Sequence, residues 1–504
     1  MRKIGVFGMG AISPIGNSVP ELWQSLLDGK SGIGPITHFD PADIVSFVEP
    51  SAQQPLIAEV TDAEGKKTYI DLAAKGPIRL VTRSGETYEP TTVRIPRSFS
   101  IETRESAEVR DFDAEAILAS YIQRHPRFAS LPPEEAASLA RGSLRQFDPF
   151  SLFAIAATME AVSGIPVIED LFRVGDKRKA DERNDRAGCY IGTGIGGAQT
   201  WERGYHEFLL RGPSRVGPRV IPGLMANRPV SDIATLFGLT GGGYAVVNAC
   251  ASGKSALMTA IEAIHAGTLD LAVVGGTEAC DTAYTVSGFT NMQALAKSSR
   301  YASPEAASRP FDIDRSGFVI GEGAAMFVIA DLDYGKSLGL KPIATILGYG
   351  MSNDAFHPTA PHPDALGMIV SMRNALGMAD IRPSHVDYIN SHGTSTELND
   401  PLEAKAIEEV FGDWAETVRV TSTKANHGHL LGAAGALESA IAIQVLRHGI
   451  VPPQANLNAV DPACARLNIP TRAMEGDFRV TMSNSLAFGG GNATIIYARP
   501  DFQK

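Results

Sequence analysis

Short apolar runs of strand length recur along the chain, punctuated by glycine and alternating with amphipathic stretches of helix length. The runs KIGVFGMG (3–10), AGCYIGTG (187–194), YAVVNA (244–249), LDLAVVGGTEA (269–279), AMFVIAD (325–331), ATILGYG (344–350), VDYINSHG (386–393), VRVTSTK (418–424) and ATIIYAR (493–499) predict strands. ELWQSLLDG (21–29), FSLFAIAATMEAV (150–162) and GMIVSMRNALGMA (367–379) predict helices. Such alternation is the pattern of an α/β fold.

One plan occurs twice. Residues 246–270 (VVNACASGKSALMTAIEAIHAGTLD) and 420–451 (VTSTKANHGHLLGAAGALESAIAIQVLRHGIV) each run strand, turn with reactive residue types, small-residue helix, and a closing Gly after His. This predicts a duplicated fold rather than two unrelated domains, with halves at 1–340 and 341–504. Residues 46–106 differ: two pairs of β-rich runs, each around a polar Gly turn, predict a small antiparallel insertion. The polar, proline-containing stretch 124–142 predicts a surface helix with its lead-in.

With 504 residues, 44% hydrophobic and 20% charged, the chain has ample material for a core. The formal charge of −11 argues against nucleic acid as a partner. Cys189, Cys250, Cys280 and Cys464 are too scattered for a disulfide framework or a zinc site. The N-terminal apolar stretch is too short and glycine-broken for a signal peptide, and no run approaches bilayer length. A cytoplasmic protein without membrane contact is expected.

Cys250 sits between an apolar run and a helix-forming run, among Ala, Ser and Gly. Two readings stay open there: a small buried thiol, or a nucleophile favoured as thiolate at a helix start. GTGIGG (192–197) and GMGAIS (8–13) imitate dinucleotide sites, yet neither has the required context, and tight turns are the better reading. His392 ends a strand beside Thr394 and Thr396, either in a ligand pocket or in a packed turn. Lys424, His427 and His429 precede a helix built on GAAGA that predicts very close packing, and no third ligand nearby supports a metal. The Gly-rich SNSLAFGGGNA (483–493) is a connector, or a loop presenting a backbone N–H to an oxyanion with Phe488 as a door. Together a thiol at a helix start, two histidines, a lysine and a Gly-rich loop fit acyl transfer through a thioester.

NACASG around Cys250, RPFDIDRSGFVIGEGA (309–324), NSHGTST (390–396), TKANHGHLLGAAGALES (423–439) and NSLAFGGGNA (484–493) resemble the β-ketoacyl-acyl carrier protein synthases, above all the elongating type. The resemblance covers most of the chain. It implies a thiolase-type fold, layered αβαβα and homodimeric, and a Cys-His-His enzyme of decarboxylative condensation. Cys250 would hold the acyl chain. His392 and His429 would bind the malonyl thioester, Lys424 and Glu438 would form a supporting charged pair with Asp400 behind the site, and Thr394 and Thr396 would contact pantetheine. The backbone N–H groups of Cys250 and Phe488 would form the oxyanion hole. No metal and no cofactor of its own is implied, since substrates ride on the phosphopantetheine of an acyl carrier protein. Arg141 and Arg145 match carrier-docking positions, with Arg215, Lys297 and Arg300 as nearby candidates. The chain departs from the family pattern at Gly491 (for Thr), at Ser316 (for Asp), at Leu486 in the loop's aromatic pair, and in the insertion.

A thiolase would place a second cysteine in the C-terminal Gly-rich loop, and none is there; a non-catalytic chain-length partner would lack Cys250. A scaffold working through the insertion is the third reading, and it predicts no acylation.

Overall fold

In the computed structural model of the chain, residues 2–48, 57–61, 67–71, 80–81, 87–88, 95–144, 147–175 and 181–504 are described. Ten strands join in one sheet, numbered here in chain order: β1 (Ile4–Ile12), β2 (Ala187–Gly192), β3 (Gly243–Val246), β4 (Leu271–Glu278), β5 (Gly323–Asp331), β6 (Ala344–Asn353), β7 (Tyr388–Asn390), β8 (Arg419–Thr421), β9 (Val480–Leu486) and β10 (Gly491–Ala498). Their order is β3-β2-β4-β5-β1-β6-β10-β9-β7-β8. Read inward from either edge, the two sets of five follow one plan. β2 runs parallel to β3 and β4, while β5 is antiparallel to β4 and β1. β7 likewise runs parallel to β8 and β9, while β10 is antiparallel to β9 and β6. The sets meet where β1 pairs with β6, Ile4 opposite Ile346. Even the bulges correspond, between Val6 and Gly8 in β1 and between Ile346 and Gly348 in β6.

Five helices complete the layers: α1 (Pro149–Ala161), α2 (Ser252–His265), α3 (Leu366–Ala379), α4 (Asn399–Phe411) and α5 (Ala434–His448). Adjacent strand residues point to opposite faces, so Val274 joins the core of α2 and α5 while Val273 joins that of α1. On the second set, Ile495 faces α2 and α5, and Ile496 faces α3 and α4. Helix, half-sheet, helix pair, half-sheet, helix is the layered αβαβα order of the thiolase-type fold. The central pair explains the small residues of GAAGA. A Cβ on Gly435 would lie 2.8 Å from Ser485 Oγ and 3.0 Å from Lys254 Cγ.

Three local expectations change. GMGAIS is not a turn: the strand expected over 3–10 runs on to Ile12, so Gly8–Ile12 is the second half of β1, where a Cβ on Gly8 or Gly10 would strike the carbonyls of Ala161 or Ala157 on α1. The loop expected at 483–493 shrinks to the turn Ala487–Gly490 between β9 and β10. Its polar residues are strand residues with buried partners: Ser485 with Lys254, Asn484 with Glu403 and Thr494. The insertion also has different edges. Residues 37–102 form a separate compact unit, whereas Glu105–Ser106 pairs with Gly34–Pro35 in the main one. Within that unit Ile44–Val48 pairs with Ile95–Phe99, Ile57–Thr61 with Lys67–Asp71, and Leu80–Val81 with Thr87–Tyr88, all antiparallel.

Candidate active site

Cys250 lies on the short turn Ala249–Ala251 that leads from β3 into α2. Ala249 holds φ at 42°, a left-handed conformation rarely adopted by a residue with a Cβ. Asn248 braces the turn: its N–H donates to Ser252 Oγ at 2.8 Å and its amide to Ser255 Oγ at 2.9 Å. Burial pushes the Cys250 thiol up to about 12, against the pull of the Lys424 charge and of the Phe488 backbone N–H on its sulfur. The helix start alone therefore does not leave a resting thiolate. The site holds a neutral thiol with a cation and an N–H donor poised for its anion.

His392 follows β7, its backbone N–H and that of Gly393 each donating to Glu403 at 2.8 Å. Lys424 hydrogen-bonds the His392 carbonyl and Glu438, and its Nζ is 3.4 Å from His392 Nδ1. An ammonium only donates, so Nδ1 is the acceptor and the single ring proton belongs on Nε2. His429 is fixed by its backbone N–H on the Val319 carbonyl, and its ring packs against Phe318 and, at 5.2 Å, against His392. Its Nδ1 is buried without a hydrogen-bond partner among the described residues. Burial and the Lys424 charge hold both imidazoles well below their ordinary range, hence neutral. Two neutral imidazoles are donors for an oxygen that gains negative charge.

Cys250, His392, His429, Thr394, Thr396 and Phe488 line one mostly apolar cavity of about 380 Å³. The hydroxyls of Thr394 and Thr396 are 2.9 Å apart. Between them Ser395 takes a φ of 69°, and Asp400 accepts from its N–H and from that of Phe311. Asp400 thus shapes the threonine turn from behind. His427 stands apart from the cavity lining, bonded to Thr423 and the Gly428 carbonyl, as a structural histidine.

Of the basic candidates, Lys297 lines the cavity and Arg300 pairs with Glu397, another lining residue, at 3.7 Å. Arg141 pairs with Glu115 at 3.3 Å, Arg215 is exposed on the turn Pro213–Arg215, and Arg145 lies outside the described residues. Gly491 is accounted for, because a Cβ there would lie 2.5 Å from Asn248 Oδ1. Ser316 accepts from the Lys297 N–H at 3.1 Å.

Three buried charges belong to the site without standing out in the sequence. Glu278 closes β4 and accepts from Thr193 Oγ1 and the N–H groups of Gly194, Ile195 and Gly432. Glu403 carries the His392 turn. Lys254, one turn beyond Cys250, reaches Asn484 O at 3.1 Å and Ser485 Oγ at 2.8 Å. A charge inside an apolar run, as in VVGGTE and ASGKSAL, was the available signal.

Models of two families match the chain: the β-ketoacyl synthase N-terminal domain over residues 1–64 and 125–334, and the C-terminal domain over 343–458. The chain belongs to the β-ketoacyl synthase family. Members of this family are acyltransferases. The relatives of this β-ketoacyl synthase include the 3-oxoacyl-[acyl-carrier-protein] synthase 2 of Coxiella burnetii, 35% identical with 99% of each chain covered. That of Synechocystis sp. is 32% identical, covering 99% of this chain and 98% of its own. Among solved structures, a β-ketoacyl synthase from Burkholderia phymatum superposes with a TM-score of 0.73 at 27% identity, covering 99% and 100%. The ishigamide ketosynthase/chain length factor does so with 0.74 at 27% identity, covering 99% of each.

Proposed function

We propose that this β-ketoacyl synthase elongates acyl chains on an acyl carrier protein, with Cys250 as the acyl-bearing nucleophile. The observation that carries this reading is the single cavity in which Cys250 and the Phe488 turn stand with two neutral imidazoles, His392 and His429. Attack of the Cys250 sulfur on an acyl thioester, its proton passing to the departing carrier sulfur, puts negative charge on the carbonyl oxygen, which the Phe488 N–H and the turn's own N–H stabilise. Collapse expels the carrier thiol and leaves the chain on Cys250. The imidazoles of His392 and His429 then donate to the carbonyl of a malonyl thioester. Loss of CO2 leaves an enolate, whose carbon attacks the acyl-Cys250 carbonyl and releases the thiolate. Lys424 and Glu438 fix the His392 tautomer, while Thr394 and Thr396 offer hydroxyls to the amide-bearing pantetheine arm.

The reaction requires no cofactor or metal of its own. Lys297 and Arg300, with Arg141, Arg145 and Arg215, are the cations offered to an acidic carrier. A second copy of the chain covers the β3 edge: Tyr244 and Val247 are 63% and 60% exposed there, and half-exposed Met292 lines the cavity from a surface otherwise open to water. No helix among the described residues is long and apolar enough to cross a membrane, and a cytoplasmic setting suits a carrier-bound substrate. The test is a single-turnover mixture of enzyme, acyl-carrier and malonyl-carrier. The 3-oxoacyl-carrier should form with release of one CO2; its absence with every chain length tried would refute the assignment.

A further inference from the structure

Lys254 is wholly buried, yet it stands outside the cavity lining. It projects from α2 one turn after Cys250 and spends its ammonium on β9, at Asn484 O and Ser485 Oγ. β9 runs directly into Ala487 and Phe488, which line the cavity together with Cys250. Lys254 therefore ties the helix behind the nucleophile to the strand that carries the oxyanion donor. Its other neighbour is Glu438 on α5. Lys424 holds Oε1 of that carboxylate, while Oε2 has no hydrogen bond among the described residues and lies 3.7 Å from Lys254 Nζ. One buried carboxylate thus stands between two buried ammonium groups, one on the Cys250 side and one on the His392 side.

We propose that Lys254 is a positioning residue that sets both halves of the reaction, aligning the Phe488 N–H over Cys250 and sharing Glu438 with the lysine that orients His392. The proposal rests on the elongation reading above. The groups around Lys254 are Glu438 from α5, Lys424, Glu403 from α4, and the uncharged Asn484 and Ser485 from β9. Burial outweighs the attraction of the two carboxylates and lowers the Lys254 ammonium to about 8, so its charge is lost within a testable range. The same charge helps hold His392 neutral.

The experiment measures two rates separately, acyl transfer to Cys250 and malonyl-carrier decarboxylation, in wild type, Lys254→Met and Lys254→Gln, from well below to well above pH 8. Lys254→Met should slow both steps roughly 10- to 100-fold, the scale of an ångström-level misplacement. Lys254→Gln keeps N–H donors for Asn484 O and Ser485 Oγ, so it should recover most of the acylation while decarboxylation stays low. The wild-type fall in decarboxylation above pH 8 should be missing from both variants. Variants with wild-type rates and a wild-type alkaline fall would overturn the proposal, as would equal loss of both steps in folded Lys254→Gln with that fall retained. If Lys254→Met does not fold, Lys254→Gln decides alone. A wild type that never acylates Cys250 would instead overturn the elongation reading.

Discussion

The turn into α2 and the turn into α5 are the same structure used for different ends. Each is a short 3-10 turn before a central helix, Ala249–Ala251 in one half and Leu431–Ala433 in the other. Each opens on a non-glycine residue with positive φ, 42° at Ala249 and 43° at Leu431. At the middle position one has Cys250 and the other Gly432. The thiol meets a cavity. Gly432 meets protein: a Cβ there would lie 2.2 Å from Gly194 N and 2.6 Å from Glu278 Oε2. Duplication supplied two strained helix starts, and only the one that holds Cys250 faces open space. The histidines come from the second half, so the site exists only where both halves meet.

The sharpest way to break this comparison is Cys250→Ala. Condensation should fall by more than about 10³-fold, whereas malonyl decarboxylation, the work of the second half, should persist. His392→Gln should do the reverse. Decarboxylation drops roughly 10²- to 10⁴-fold, while acylation of Cys250 survives, as separate assays of the two steps would reveal. Gly432→Ala should cost about 1–3 kcal/mol of stability through overpacking, measured by denaturant unfolding. Cys250→Ala, by contrast, places no new atom against a neighbour.

A pH-dependent effect concerns Glu278, which accepts N–H groups from the Gly432 turn and from Gly194 and Ile195. Burial raises its carboxyl from an ordinary 4.5 to about 7. The folded protein then binds a proton that the unfolded chain releases between those values. This contribution to stability is complete below about pH 4.5 and is lost as pH rises through 7. Unfolding titrations should show that decline, and Glu278→Gln should remove it. His392 and His429, held neutral, should add no acid limb near pH 6.5 to the decarboxylation rate.

Much of this was legible in the sequence because apolar strands and small-residue helices are written locally. Nine of the ten sheet strands announce themselves as apolar runs. β9 does not, because VTMSNSL buries hydroxyls and an amide whose partners, Lys254, Glu403 and Thr494, lie far away in the chain. The glycine pattern of GMGAIS suggests a turn for a similar reason, since the helix that forbids a side chain at Gly8 and Gly10 comes more than a hundred residues later. The residues around Cys250, His392 and His429 stood out by chemical type. Glu278, Glu403 and Lys254 did not, because what they do depends on backbone groups brought together only by folding.

The most direct test is the intact mass of the protein after incubation with an acyl-carrier thioester, with Cys250→Ala alongside. One acyl adduct is expected on the wild type and none on the variant. An adduct of equal yield on the variant, or none on wild type with any chain, would contradict the assignment of Cys250 as the acyl-bearing thiol.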